Sequence, residues 1–171
     1  MKTHSGSCLC GQVSYVVRGE PENQGHCHCI ACKKATSAPF ATLVYYKEEN
    51  FEKKSGQTSI YKYISDRGNT LIKEFCKNCG SLLYGTNTGR PGIRSIYVGC
   101  LDDASFVEPK WNVYTSRKLP FISIDQKIEN FEEGIKNKFL DNNNKKALVK
   151  KPSNIFSSQL RNVDKIDKTQ V

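Results

Sequence analysis

Phe75-Cys76-Lys77-Asn78-Cys79-Gly80-Ser81 places two thiols three positions apart with a glycine directly behind them. In a C-x-x-C turn both sulfurs aim at one point, and Gly80 gives the backbone the freedom to bring amide N–H groups up to them, as in a zinc knuckle. Cys8-Leu9-Cys10-Gly11 is a tighter version of the same pattern. Neither pair completes a tetrahedral site alone, because structural zinc takes four ligands. Combined, Cys8, Cys10, Cys76 and Cys79 give a four-thiolate site that ties the N-terminal segment to the middle of the chain across more than sixty residues. Such a clip contributes folding free energy that a small β core lacks.

The third cluster, Cys27-His28-Cys29-Ile30-Ala31-Cys32, brings three thiols within six residues. Cys27, Cys29 and Cys32 can hold one metal and leave a fourth position open, the feature that separates catalytic from structural zinc. Three thiolates outweigh the charge of Zn²⁺, so the complex carries a net −1 and generates hydroxide poorly. A soft, thiolate-rich zinc suits an incoming sulfur ligand instead. A substrate thiol bound there loses its proton and remains a usable nucleophile. A closed structural site, with His26 or His28 as fourth ligand, stays open as an alternative. Cys100, unpaired in Tyr97-Val98-Gly99-Cys100-Leu101, reads as a small buried hydrophobe.

Around the clusters the chain reads as short strands broken by turn residues. Val13, Tyr15 and Val17 alternate with smaller or polar neighbours, and Phe40 to Tyr46 is β-branched and aromatic. Ser59 to Ile64, Thr70 to Phe75, Leu82 to Thr86, Ile93 to Val98 and Phe121 to Ile124 are the further predicted strands. Gly19-Glu20-Pro21, Ser55-Gly56, Arg67-Gly68-Asn69, Gly89-Arg90-Pro91-Gly92 and Glu108-Pro109 supply the turns. No segment of the first 125 residues sustains a 3.6-residue apolar period over three turns, so the expected fold is mainly β.

The 171 residues suffice for one domain and a tail. No apolar run approaches the roughly 18 residues of a spanning helix, so no membrane partner is expected. Met1-Lys2-Thr3-His4-Ser5-Gly6 lacks the apolar stretch of a secretory signal. A cytoplasmic location follows as the expectation, with the nucleus open because of the lysine-rich tail. In that reducing setting the eight cysteines are metal ligands or reactive thiols rather than disulfides.

The net charge of +9 is unevenly placed. Residues 135–171 carry nine Lys/Arg and three Asp, a net of +6, which leaves +3 on residues 1–134. Seven thiolates with two Zn²⁺ would add −3 and bring that core near neutrality. The basicity belongs to the tail. The composition predicts a zinc-binding β domain over 1–134 and a basic, largely disordered tail over 135–171. Within the tail, Ile155, Phe156, Leu160, Val163 and Ile166 near helical spacing outline a short helix around 153–167.

Gly6-x-Cys8-x-Cys10-Gly11-x-Val13-x-Tyr15, Cys27-His28-Cys29-x-x-Cys32-Lys33-Lys34, Phe75-Cys76-x-x-Cys79-Gly80-Ser81 and Val98-Gly99-x-Leu101-Asp102-Asp103 occur in that order. Together they resemble the glutathione-dependent formaldehyde-activating enzyme family, which includes centromere protein V, over about residues 5–125. The resemblance implies a complex β fold of short antiparallel sheets organised around two zinc ions. It assigns Cys8, Cys10, Cys76 and Cys79 to a structural ion. Cys27, Cys29 and Cys32 go to a second ion, where glutathione adducts such as S-hydroxymethylglutathione form or break a carbon–sulfur bond. The expected activity is a zinc-dependent carbon–sulfur lyase on a small-molecule thiol adduct, with Lys33 and Lys34 as candidate partners for substrate carboxylates. The rival expectation is a non-catalytic zinc module whose basic tail contacts a nucleic acid or another acidic partner.

Overall fold

A computed structural model describes residues 2–135. Apart from Ile135, the expected tail over 135–171 and its helix near 153–167 lie outside the described residues. The fold is mainly β. The chain runs β1 (Thr3–Ser7), β2 (Ser14–Arg18), β3 (Asn23–Cys27), a helix α1 (Ile30–Thr36), β4 (Ala41–Lys47), β5 (Phe51–Ser55), β6 (Thr58–Ile64), β7 (Thr70–Cys76), β8 (Leu82–Asn87), β9 (Ile93–Tyr97), β10 (Trp111–Val113) and β11 (Glu129–Phe131). Among the described residues no helix is long and apolar enough to cross a membrane.

Two sheets form, a small one in the order β1-β2-β5 and a large one in the order β11-β10-β3-β4-β9-β8-β7-β6. Most ladders are antiparallel; short turns dictate this for β1–β2, β6–β7, β7–β8 and β8–β9. The exception is β10, which lies parallel to both β3 and β11, pairing Val113 with Cys27 on one side and with Phe131 on the other. Alternation along the strands separates two cores. Val44, Tyr46, Leu83, Tyr84 and Ile96 pack with Val13, Tyr15 and Val17 of the small sheet. Leu43, Tyr45, Tyr97, Trp111 and Val113 form a second core with Cys27 and Cys32.

Local chemistry explains the edges of these elements. The helix α1 is short because Cys29 caps its start, its sulfur accepting from the Cys32 N–H at 3.3 Å, while Ser37 ends it at φ 51°. The strand expected over Phe121 to Ile124 does not form. Pro120 precedes it in a turn closed by Ile122 N–H on the Leu119 carbonyl at 3.0 Å, and Phe121 is exposed. The side of β10 away from β3 is taken by β11.

Candidate metal centres

Both glycine-backed pairs fold as tight turns. Gly11 N–H donates to the Cys8 carbonyl at 2.9 Å and Gly80 N–H to the Cys76 carbonyl at 3.0 Å, with both glycines at positive φ, 71° and 72°. The first turn joins β1 to β2 in the small sheet; the second joins β7 to β8 in the large one. They meet, so that the sulfurs of Cys8, Cys10, Cys76 and Cys79 all lie within 4.8 Å of one another. The Cys8–Cys10 and Cys10–Cys76 separations are 3.4 and 3.8 Å. Four sulfurs at about 2.3 Å from one zinc ion stand about 3.8 Å apart, so this donor set suits a tetrahedral metal.

Hydrogen-bond donors surround that group, as thiolate ligands require. Val13 N–H donates to the Cys8 sulfur at 3.2 Å, and the Ser81 hydroxyl lies 3.2 Å from the Cys79 sulfur. The Ser81 contact holds the Cys79 thiol at about 5, and a bond from the Asn78 side chain lowers that of Cys10. Cys100 stays outside both groups. Its sulfur contacts the Leu82 carbonyl at 3.4 Å, and burial pushes its thiol up to about 11.

The second group is built from the end of β3 and the start of α1. Cys27 and Cys32 are buried, Cys29 is half-buried, and their three sulfurs lie within 4.8 Å of one another. Hydrogen bonds from Cys27 and then Cys32 hold the Cys29 thiol far below its ordinary range, with the Lys73 ammonium adding to the pull. The same bonds, Cys29 first, push Cys27 up. Cys32 rises to about 11, because its bond with Cys29 and its burial outweigh the opposite effect of Cys27. Three thiols this close together form a donor set that a soft divalent cation can enter by displacing their protons.

Neither imidazole joins the three sulfurs. His26 Nδ1 is 3.0 Å from the Thr42 hydroxyl. The His28 Nε2–H donates to Asn112 Oδ1 at 3.1 Å, and Asn112 in turn donates to Asn130 Oδ1 at 2.9 Å. Among the described residues no other histidine or carboxylate completes the group. Lys33 donates to the Arg117 carbonyl at 2.7 Å, whereas Lys34 is exposed.

Lys73 is a functional candidate that the sequence does not reveal. A lysine in the alternating strand Thr70-Leu71-Ile72-Lys73-Glu74-Phe75 reads as solvent-facing. Instead it is buried, donates to the Tyr97 hydroxyl, and lies 4.9 Å from the centre of the Tyr97 ring and 5.9 Å from that of Tyr63. Tyr97 belongs to the same packed core as Cys27 and Cys32. Two surface hollows are lined elsewhere, one by Gln12, Gly56 and Lys77, the other by Glu48, Thr86 and Arg90. Of Cys27, Cys29 and Cys32, Cys29 is the least buried.

Comparison with known proteins gives three relationships. The sequence model of a family described as glutathione-dependent formaldehyde-activating enzyme matches residues 3–117. An uncharacterised lyase of Schizosaccharomyces pombe is 31% identical over 84 residues, which make up 49% of this chain and 58% of that protein. The chain thus spans a little over half the length of that relative. A crystal structure of a Rhodobacter sphaeroides protein aligns with 61% of this chain and 91% of its own at 21% identity, with a TM-score of 0.46.

Proposed function

Because this chain belongs to the glutathione-dependent formaldehyde-activating enzyme family, we propose that it is a carbon–sulfur lyase acting on S-hydroxymethylglutathione or a closely related thiol adduct. The observation that carries the reading is the group of Cys27, Cys29 and Cys32, three sulfurs within 4.8 Å of one another with no fourth protein ligand among the described residues. Cys27, Cys29 and Cys32 would hold a zinc ion, which would supply a soft Lewis acid able to keep a substrate thiol in its thiolate form near neutral pH.

The chain's own residues do the rest. Cys27 and Cys32 anchor the buried side of the group, and Cys29 leaves the approach open on the other. The sulfur that enters there forms the carbon–sulfur bond, or leaves as a thiolate when that bond breaks. Cys8, Cys10, Cys76 and Cys79 have the donor set of a closed structural site and take no part in the chemistry. Residues 1–134 form the zinc-binding unit in this reading, and the tail is not needed for turnover.

The test is metal content by emission spectroscopy, followed by cobalt substitution and addition of glutathione. Two metals per chain are expected, with one cobalt spectrum changing as the thiol binds, and the zinc protein should release formaldehyde from S-hydroxymethylglutathione. Two metals whose spectra ignore the thiol would leave the lyase without a site.

A further inference from the structure

We propose that Lys73 and Tyr97 form the oxygen-binding half of the reaction site: their free hydrogens bind and polarise the aldehyde oxygen while the three-sulfur group handles the sulfur. The inference rests on the lyase reading above and adds a second set of working residues to it.

The placement follows from the register of the large sheet. Lys73 on β7 stands opposite Gly85 on β8, and Gly85 stands opposite Ser95 on β9, two residues before Tyr97. Position 85 carries no side chain, so the lysine stem crosses that strand and brings its ammonium to the Tyr97 hydroxyl. The rings of Tyr97 and Tyr63 line its course. The same face of the sheet carries Cys27 at the end of β3, two strands beyond β9.

A buried ammonium costs several kcal/mol unless it is compensated. Among the described residues no carboxylate pairs with Lys73. The adjacent Glu74 points to the opposite face, where it pairs with Arg94. The hydroxyl of Tyr97 accepts from Lys73, so its own hydrogen is directed away from the ammonium and meets no acceptor among the described residues. The ammonium keeps two further hydrogens. These are two neighbouring donors with unspent hydrogens in a buried, charged site, the type of group that stabilises an oxygen as it gains negative charge. Balancing the charge of the sulfurs would require the lysine but not the phenol.

The chemistry needs such a group. When the bond forms, the thiolate electron pair makes the new C–S bond and the carbonyl π pair moves onto oxygen. That oxygen takes up a proton equivalent to the one the thiol released, so thiol plus aldehyde gives the hydroxyalkyl thioether with nothing oxidised or reduced. In the reverse direction the oxygen gives up its proton as the C–S bond breaks. Charge therefore rises and falls on oxygen in either direction, and the three sulfurs offer that atom no donor.

Tyr97→Phe and Lys73→Met separate this role from a structural one. Both variants should keep two metals and the glutathione response of the cobalt protein, with KM for the adduct within about threefold of the parent. Their kcat should fall by about 10²–10³-fold, as when a donor to a developing oxyanion is removed. Tyr97→Phe keeps the ring that packs against the core, so it reports even if burying a methionine at 73 unfolds the chain. Turnover left within about threefold by Tyr97→Phe would overturn the proposal while leaving the lyase reading intact. Loss of the second metal from either variant would also overturn it, because the pair would then serve only to hold the sulfurs. A parent cobalt protein that ignores glutathione would remove both readings together.

Discussion

Position 25 of the large sheet has no side chain, and the indole of Trp111 occupies the space. A Cβ built there would stand 2.3 Å from the ring carbon Cδ2 and 2.5 Å from the Trp111 carbonyl oxygen. The indole N–H is fixed on Asn23 at 2.8 Å and its ring lies 6.0 Å from that of Tyr45, so it has no room to yield. Gly25→Ala should therefore destabilise the fold by about 1–3 kcal/mol, the range for overpacking a core. Urea unfolding followed by tryptophan fluorescence reads this directly, since Trp111 is the single tryptophan. The expected result is a lower midpoint with an unchanged slope. Nothing in Asn23-Gln24-Gly25-His26-Cys27 foretells that contact; a glycine there reads equally well as a turn. The same blindness hides Lys73. With Lys73 and Glu74 adjacent in an alternating strand, one charge must enter each face, and only the three-dimensional neighbours decide which finds water.

Arg94 shows how one strand can hold three elements together. From β9 it reaches Glu74 on β7 at 2.7 Å and Glu48 ahead of β5, and its guanidinium lies 4.7 Å from the Phe51 ring and 5.3 Å from the Tyr84 ring. Removing it in Arg94→Met keeps much of the stem packing but strands Glu74, whose side chain is only 21% exposed. The expected loss is about 2–3 kcal/mol, below the range for a fully buried pair because Glu48 can turn to solvent. Arg94→Lys should recover less than half of it, since an ammonium cannot bridge both carboxylates as the planar fork does. Thermal unfolding of the two variants measures both effects. The elements themselves were unequally legible. The alternating, β-branched runs of β4, β6, β7, β8 and β9 lie within a residue or two of where the pattern puts them. The strands β1, β3, β5, β10 and β11 are too poor in apolar residues or too short to declare a period. They are strands because a neighbour pairs with them. The helix α1 has seven residues, too few for a helical period, and its cap is a cysteine that reads first as a ligand.

At the scale of the molecule, each sulfur cluster belongs to a different core. Cys8 and Cys76 pack with the residues between the two sheets, and Cys27 and Cys32 with the opposite face of the large sheet. That the distant pairs 8/10 and 76/79 share a site could be read from the sequence, because neither pair can satisfy a tetrahedral ion alone. That their union links the two sheets could not, since it depends on β1, β2 and β5 pairing in a sheet apart from the one that holds β7 and β8. The link makes a test possible in which packing and metal give opposite answers. The Cys10 side chain is exposed, so as a mere surface residue its replacement by alanine should change stability by no more than about 0.5 kcal/mol. As the fourth corner of a structural ion it should cost far more. The apparent free energy of such a site, about 10–16 kcal/mol in small zinc domains, matches or exceeds the whole stability of an ordinary domain, about 5–15 kcal/mol. Cys10→Ala should therefore lose one of two metals and with it the cooperative thermal transition, whereas Cys29→Ala should lose one metal and still unfold cooperatively. Metal content and calorimetry on the two variants decide the matter. A Cys10→Ala protein that melts within about 2 °C of its parent, a shift worth less than about 1 kcal/mol for a domain of this size, would show that the four sulfurs do not hold the sheets together.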